Sequence, residues 1–163
     1  MIHIIKNFLD DYECYELIKI YEENCNNSYE YCGAFPLDIT KELIDSNKII
    51  QNTYYRIESI CHDLNDQDNN IFCDTFQIIK RNTFSFLSGH YDSENTKFSC
   101  ILYLNDNYDG GRTVVKCDNI VKVKGKGKLL IIKDSDKVYH SMETITSGTR
   151  YIIAIWFESN MLK

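Results

Sequence analysis

The sequence predicts a mainly β fold: an antiparallel sandwich or barrel, with N-terminal helices packed on one of its sheets. Two observations predict it. The first third of the 163 residues has helical periodicity, and the remainder is a series of short segments rich in β-branched and aromatic residues. No repeat or linker divides the chain. We therefore expect one domain over residues 1–163, with 1–68 as mostly helical support and 71–163 as the β core.

The helices are predicted from apolar residues that recur at three- and four-residue steps. The segment "FLDDYECYELIKIYEENC" has one apolar stripe, and Asp10 or Asp11 is a suitable N-cap. After a loop with Gly33 and Pro36, Thr40 can cap a second, longer helix through "KELIDSNKIIQNTYYRIESICHDL". Neither helix carries an evident reactive group.

The β core is predicted from eight short segments that follow a polar break at residues 65–70. The segments are "IFCDTFQIIK", "TFSFL", "FSCILYLN", "RTVVK", "NIVKVK", "KLLIIK", "VYHSMETI" and "RYIIAIWF". Their nearly even spacing, without intervening helices, is typical of antiparallel sandwiches and barrels.

The charge and the absence of targeting signals restrict the function classes. A net charge of −6 and a pI near 5.2 argue against a nucleic acid partner, and the lysines between Lys116 and Lys137 are interpreted as a solvated strand edge. With no signal peptide and no apolar stretch long enough for a membrane span, we expect a soluble, cytoplasmic protein. Seven irregularly spaced cysteines indicate free thiols in a reducing compartment.

A candidate metal site begins at "GHYDSENTKFSCILYLNDNYDGG". His90 and Asp92 are separated by one residue, so on an extended segment both side chains leave the same face. The pair alone fits either a solvated turn or half of a metal site. His140, in a later strand-like segment, is either a packed core histidine or the third ligand. Two imidazoles and one carboxylate suit non-haem Fe(II), whereas structural zinc more often has paired cysteines.

Arg150 adds a candidate anion-binding residue to the three candidate metal ligands. It begins the final apolar strand, ten residues after His140. An arginine directed into a sandwich is costly unless it meets an anion, although an exposed strand-end arginine is the alternative. Together with the three candidate ligands, Arg150 suggests a dicarboxylate co-substrate with one end on the metal and the other on the guanidinium.

These residues are similar to the motif of a known family. The chain resembles the Fe(II)- and 2-oxoglutarate-dependent oxygenases, in their prolyl 4-hydroxylase-like branch, over nearly its whole length. The resemblance lies in "IIKNFLDDYECYELI", "FSCILYLNDNYDGGRT" and "GKGKLLIIKDSDKVYHSMETITSGTRYIIAIWF". The family motif of His-x-Asp, a distant His and a basic residue falls on His90, Asp92, His140 and Arg150.

The resemblance implies a fold and an activity. The fold is a double-stranded β-helix, a jelly roll of about eight antiparallel strands. The triad holds Fe(II), Arg150 pairs with the distal carboxylate of 2-oxoglutarate, O2 is the second co-substrate and ascorbate is a reductant. The activity is hydroxylation of a protein or peptide side chain, foremost a prolyl residue, with formation of succinate. A proline-rich segment is one candidate substrate. The alternatives are a small-molecule or nucleobase substrate, or a non-catalytic binding module; the oligomeric state is open.

Two positions depart from the family pattern. A tyrosine that contacts 2-oxoglutarate, nine residues before the first histidine, is here Arg81, and a nearby glycine is Phe84. Collagen-type enzymes also usually have lysine at the position of Arg150. Either another residue helps to bind the distal carboxylate, or the alignment is displaced by a residue or two. The candidates for that binding are Thr113, Ser99 and Tyr103.

The double glycine at the end of the same stretch has a structural interpretation. Gly110 and Gly111 permit positive φ in a tight turn between strands. Such a turn would also allow the strand of Thr113 to pass close to the co-substrate.

Overall fold

The computed structural model describes residues 1–65 and 70–159, so the predicted boundary at residue 68 lies outside the described residues. The described helices are α1 (Asp11–Asn24), α2 (Lys41–Ser46) and α3 (Lys48–Leu64). The strands are β1 (Ile2–Ile5), β2 (Ala34–Asp38), β3 (Ile71–Arg81), β4 (Leu87–His90), β5 (Thr96–Tyr103), β6 (Asp109–Gly110), β7 (Thr113–Lys116), β8 (Ile120–Val123), β9 (Leu129–Lys133), β10 (Tyr139–Met142), β11 (Ile145–Ser147) and β12 (Arg150–Ser159). Short 3-10 turns lie at Cys25–Asn27 and Ser135–Lys137.

The strands form two antiparallel sheets that face each other. The larger sheet has the order β1-β9-β5-β12-β3-β2, the smaller has the order β4-β10-β7-β8, and β11 and β6 form a separate two-stranded ribbon. One cluster of buried side chains joins the sheets, with Tyr103 and Ile152 from the larger sheet and Val115 and Val123 from the smaller. This architecture confirms the predicted mainly β jelly roll.

The helices cover the outer face of the larger sheet. Residues of alternating parity on each strand point to opposite faces, so Ile153 of β12 faces the helices while its neighbour Ile152 faces the smaller sheet. Leu17 of α1 and Ile57 of α3 are fully buried in the same cluster as Ile153. None of the described helices is both long and apolar enough to cross a membrane.

Side-chain caps determine where the helices begin. Asp10 caps α1 and forms a reciprocal capping box with Glu13, as the sequence suggested. The single long helix predicted after Thr40 is wrong, because the chain breaks at Asn47 into α2 and α3. The Asn47 side chain accepts hydrogen bonds from the amides of Ile49 and Ile50, which starts a new helix there.

The predicted strand "TFSFL" is also placed wrongly, because only its last residue, Leu87, belongs to a strand. Phe84 has a φ of +71°, which interrupts an extended segment. The chain turns instead, and the Phe84 amide donates to the Ile145 carbonyl at 2.7 Å. Strand β4 therefore begins later than predicted and ends on His90.

The region predicted as helical support contributes two strands to the larger sheet. β1 pairs with β9 and β2 pairs with β3, so both lie at the sheet edges. The predicted strand "VYHSMETI" divides into β10 and the start of β11, which belong to different sheets. Short edge strands depend on a distant partner, which a local pattern does not reveal.

The surface lysines and the cysteines agree with the sequence interpretation. β8 is the edge strand of the smaller sheet, and its Lys122 is solvated and pairs with Glu143 at 2.8 Å. All seven cysteines are free. The Cys61 and Cys100 sulfurs lie 3.5 Å apart in the core, where burial raises the pKa of Cys100.

Gly110→Ala is expected to destabilise the protein by about 3 kcal/mol, because a methyl group there combines left-handed backbone strain with a steric clash. Gly110 has a φ of +68°, and an added Cβ would lie 2.1 Å from the Thr144 carbonyl oxygen. Gly33→Ala is the matched control, since its φ is +70° but the nearest atom would be 3.6 Å away. It should cost only about 1 kcal/mol. Urea denaturation measures both, and equal losses would contradict the clash.

Candidate metal centre and adjoining cavity

The three predicted metal ligands meet at one end of the smaller sheet. His90 and His140 are directly paired residues of β4 and β10, and Asp92 follows β4 after one residue. The potential ligand atoms of all three lie within 4.8 Å of one another. Asp92 Oδ1 is 3.9 Å from His90 Nε2, and Asp92 Oδ2 is 3.7 Å from His140 Nε2. Residues fifty positions apart in sequence thus converge on one point.

Backbone carbonyls hold both imidazoles in the orientation that a metal ligand needs. His90 Nδ1 lies 2.9 Å from the Ser88 carbonyl oxygen, and His140 Nδ1 lies 2.9 Å from the Val138 carbonyl oxygen. A carbonyl oxygen only accepts, so each Nδ1 donates its proton, and Nε2 is then the ring atom that can offer a lone pair to a metal. The two lone pairs are directed toward the carboxylate of Asp92.

Ser99 fixes the carboxylate of the triad. Its hydroxyl donates to Asp92 Oδ2 at 2.5 Å, and its Oγ also lies 3.1 Å from Ser135 Oγ. The Asp92 side chain is only 9% exposed, so this hydroxyl is one of few groups that can orient it. The structure thus brings Ser99 to the metal end of the site, beside Asp92.

Ser99→Ala should lower the affinity for a divalent metal about tenfold, the lower end of the range for loss of a hydrogen bond to a ligand. The alanine removes the donor to Asp92 and leaves the three ligands in place. Ser93→Ala is the control, because the hydrogen bonds of the Ser93 hydroxyl among the described residues involve Thr96 and Glu158 and not the Asp92 carboxylate. Competition with a fluorescent chelator measures both variants. Equal affinity of Ser99→Ala and the wild type would contradict this role.

The donor set fits Fe(II). Two imidazole nitrogens and one carboxylate oxygen lie within 4.8 Å of one another, and this is the donor set of the facial triad in non-haem Fe(II) oxygenases. Such a set leaves the opposite positions on the ion open to co-substrates. No described cysteine belongs to it, which separates it from a closed structural zinc site.

Arg150 is buried close to the triad, as the sequence suggested. It is 3% exposed, its Nη2 donates to Thr113 Oγ1 at 3.0 Å, and its Nη1 lies 2.9 Å from Met142 Sδ. Its buried Nε donates to no residue within the described ranges. Within residues 1–65 and 70–159, no carboxylate lies within 4.0 Å of this guanidinium. A buried cation with no counter-charge favours an anionic ligand.

Tyr103 and Thr113 lie beside Arg150. The Tyr103 hydroxyl donates to Thr113 Oγ1 at 2.6 Å, and the Tyr103 ring centroid is 5.4 Å from the guanidinium carbon. Thr113 Oγ1 therefore accepts from two donors, which leaves its own proton free to donate to a ligand. Burial raises the pKa of Tyr103, so its hydroxyl remains a donor at neutral pH.

One cavity of about 230 Å³ is lined by both triad histidines and by Arg150. It lies between the two sheets. The predicted site residues that line it are His90, Ser99, Thr113, His140 and Arg150. Arg81, noted as a departure from the family pattern, also lines it, as do residues of β2. The cavity is thus lined by two imidazoles, two guanidinium groups and apolar side chains, a combination that suits a short dicarboxylate bound to a metal.

The sequence reasoning did not identify Tyr108 as part of this environment. Its hydroxyl is buried without a hydrogen-bond partner among the described residues. Burial raises its pKa, and the charge of nearby Arg150 opposes that shift. The available signal is a tyrosine two residues before the double glycine, in a segment dominated by turn-forming residues.

A comparison with protein families gives one match to this chain. The model of the 2OG-Fe(II) oxygenase superfamily matches residues 74–158, which include all three triad residues and Arg150. No curated protein matches the sequence.

Solved structures resemble the fold over nearly its whole length. A Pseudomonas putida prolyl-4-hydroxylase has a TM-score of 0.80 at 15% identity and covers 98% of this chain and 93% of its own. The viral collagen prolyl hydroxylase of Paramecium Bursaria Chlorella virus-1, in a 2OG complex, has a TM-score of 0.76 at 14% identity, with coverages of 98% and 96%. A Trichoplax adhaerens prolyl hydroxylase bound to a hypoxia inducible factor peptide has a TM-score of 0.71 at 16% identity, with coverages of 97% and 83%.

Proposed function

The chain belongs to the 2OG-Fe(II) oxygenase superfamily, and we propose that it hydroxylates a prolyl residue of a protein or peptide. It is a 2-oxoglutarate-dependent dioxygenase, with Fe(II) as its metal and 2-oxoglutarate and O2 as co-substrates. The proposed substrate class is supported by similarity to prolyl hydroxylases over 97–98% of the chain, one of them with a bound peptide. We also take residues 1–163 as one dioxygenase domain.

The triad is the proposed metal centre. His90 and His140 present Nε2 lone pairs because their Nδ1 protons are engaged by carbonyl oxygens. Asp92, oriented by Ser99, supplies the anionic ligand. The bound Fe(II) supplies the oxidative chemistry that couples decarboxylation of 2-oxoglutarate to hydroxylation. The protein's residues fix the ligand geometry and leave the cavity side of the centre open.

The opposite end of the cavity is the proposed site for the distal carboxylate. Arg150 offers its Nε, which donates to none of the described residues, and Thr113 offers its hydroxyl proton. Tyr103 orients Thr113 through the hydrogen bond at 2.6 Å. Apolar side chains such as Ile79 and Ile152 line the walls and limit the access of water to the co-substrate.

Exposed aromatic side chains lie next to the cavity and support a proline-containing substrate. Tyr31 lines the cavity and is 66% exposed. Phe86 and Tyr91 are also exposed, and they flank β4, the strand that ends on His90. Aromatic side chains pack well against proline rings in extended peptides. These residues would hold a peptide across the open side of the metal centre.

The proposal is tested with a panel of proline-containing peptides incubated with Fe(II), 2-oxoglutarate, O2 and ascorbate. Mass spectrometry should show the gain of one oxygen atom on a proline, with an equal amount of succinate. Peptides with alanine at that position are the control and should remain unmodified. Succinate formed together with an oxidised free amino acid, and with no modified peptide, would favour the small-molecule alternative.

A further inference from the structure

Two buried arginines lie side by side on the same face of the larger sheet and line the same cavity. Arg81 of β3 and Arg150 of β12 are directly paired across the larger sheet, so their side chains leave the same face. They are 7% and 3% exposed, respectively, and both line the cavity next to the triad. Side chains at paired positions have Cβ atoms about 4.5–5.5 Å apart, close enough for two guanidinium groups to reach one small ligand.

The arrangement is unfavourable without a ligand. Like charges at directly opposite positions destabilise a sheet, and burial adds the cost of desolvation. Burial, and after it the positive charge of Arg150, lower the pKa of Arg81 to about 10. No carboxylate in the described part of the chain lies within 4.0 Å of Arg81 or Arg150. A bound anion would supply this counter-charge.

The hydrogen bonds of Arg81 hold it in place and leave donors free. Its Nη1 donates to the carbonyl oxygens of Cys32 at 3.1 Å and Phe86 at 3.4 Å. Its other two donor groups, Nε and Nη2, donate to no described residue. The Nε of Arg150 likewise has no partner in the part of the chain that the structure describes. The two side chains together offer several N–H donors to one site.

On the basis of the proposed function, we propose that Arg81 is a second carboxylate-binding residue, which shares the distal carboxylate of 2-oxoglutarate with Arg150. A carboxylate has two oxygens and about four lone-pair directions, so it can accept from both guanidinium groups and from Thr113. One carboxylate between the arginines offsets both charges.

The test is isothermal titration of the full-length, Mn(II)-loaded protein with 2-oxoglutarate, under conditions without turnover. Arg81→Gln keeps an amide donor for the two carbonyls but removes the charge. Its dissociation constant for 2-oxoglutarate should rise about 10- to 100-fold, as expected for one charge-assisted hydrogen bond. Arg81→Lys keeps the charge and should recover part of the affinity.

A second ligand separates recognition from a structural role. 2-Oxopentanoate has a methyl group in place of the distal carboxylate, so its affinity should be the same for the wild type and Arg81→Gln. Equal weakening of both ligands would mean that Arg81 only supports the loops, and would overturn the inference. Unchanged affinity of Arg81→Gln for 2-oxoglutarate would also overturn it, and would assign the anion to the primary substrate.

The same titration distinguishes this inference from the proposed function. If the wild type binds no 2-oxoglutarate, the proposed function fails. If the wild type binds and Arg150→Met does not, while Arg81→Gln binds as the wild type does, only the inference about Arg81 fails.

Discussion

His140→Ala is expected to abolish succinate formation while the fold is retained. The substitution removes one of three metal ligands, and the remaining pair, His90 and Asp92, is a weak chelate. Because His140 is 5% exposed, loss of its ring leaves a small cavity and should cost about 1–2 kcal/mol of stability. Succinate release measures the activity, elemental analysis the bound iron, and circular dichroism the fold.

The matched control is His62→Ala, on α3 and outside the triad. It should retain iron and turnover at the level of the wild type. Turnover retained by His140→Ala would exclude this histidine as a ligand. If His140→Ala loses the circular dichroism spectrum of the folded protein, His140→Gln is measured in its place. This variant preserves more of the side-chain volume and should also fail to form succinate.

Arg150→Met is expected to raise the dissociation constant for 2-oxoglutarate at least 100-fold, because it removes a buried charged partner of the distal carboxylate. It should also stabilise the ligand-free protein, by about 1 kcal/mol, since a buried guanidinium without a carboxylate is replaced by an apolar side chain of similar length. The removal of Arg150 also relieves its repulsion with Arg81, its partner across the sheet. Affinity and stability thus change in opposite directions.

Titration calorimetry and urea denaturation measure these two effects. Arg150→Lys is the control, because it keeps a positive charge and should bind 2-oxoglutarate more tightly than Arg150→Met does. A purely structural role for Arg150 predicts the reverse for the Met variant: lower stability with unchanged affinity for 2-oxoglutarate. That result would contradict the assignment of this end of the cavity.

The triad could be predicted from the sequence partly because the relative orientation of two of its ligands follows from their spacing along the chain. One residue between His90 and Asp92 places both on one face of an extended segment, whatever the rest of the fold. His140 and Arg150 were predicted because the chain has few histidines and because an arginine that begins a buried strand needs an anion. The alternation of apolar residues likewise predicted most strands of the core.

The parts that could not be predicted depend on register and on distant contacts. Arg81 lies beside Arg150 because β3 pairs with β12 in this register, and no local pattern specifies that register. The hydrogen bond from Ser99 to Asp92 depends on how the loop after β4 returns to β5. The turn at Phe84 could not be predicted from the sequence, because a positive φ is usually adopted by glycine and not by phenylalanine.

The most direct measurement of the central claim is an anaerobic titration of the full chain with Fe(II) and 2-oxoglutarate, followed by visible absorption. The account predicts a weak charge-transfer band that saturates at one equivalent of each and is absent from His140→Ala. A wild-type protein that shows no such band at saturating Fe(II) and 2-oxoglutarate would contradict the proposed centre.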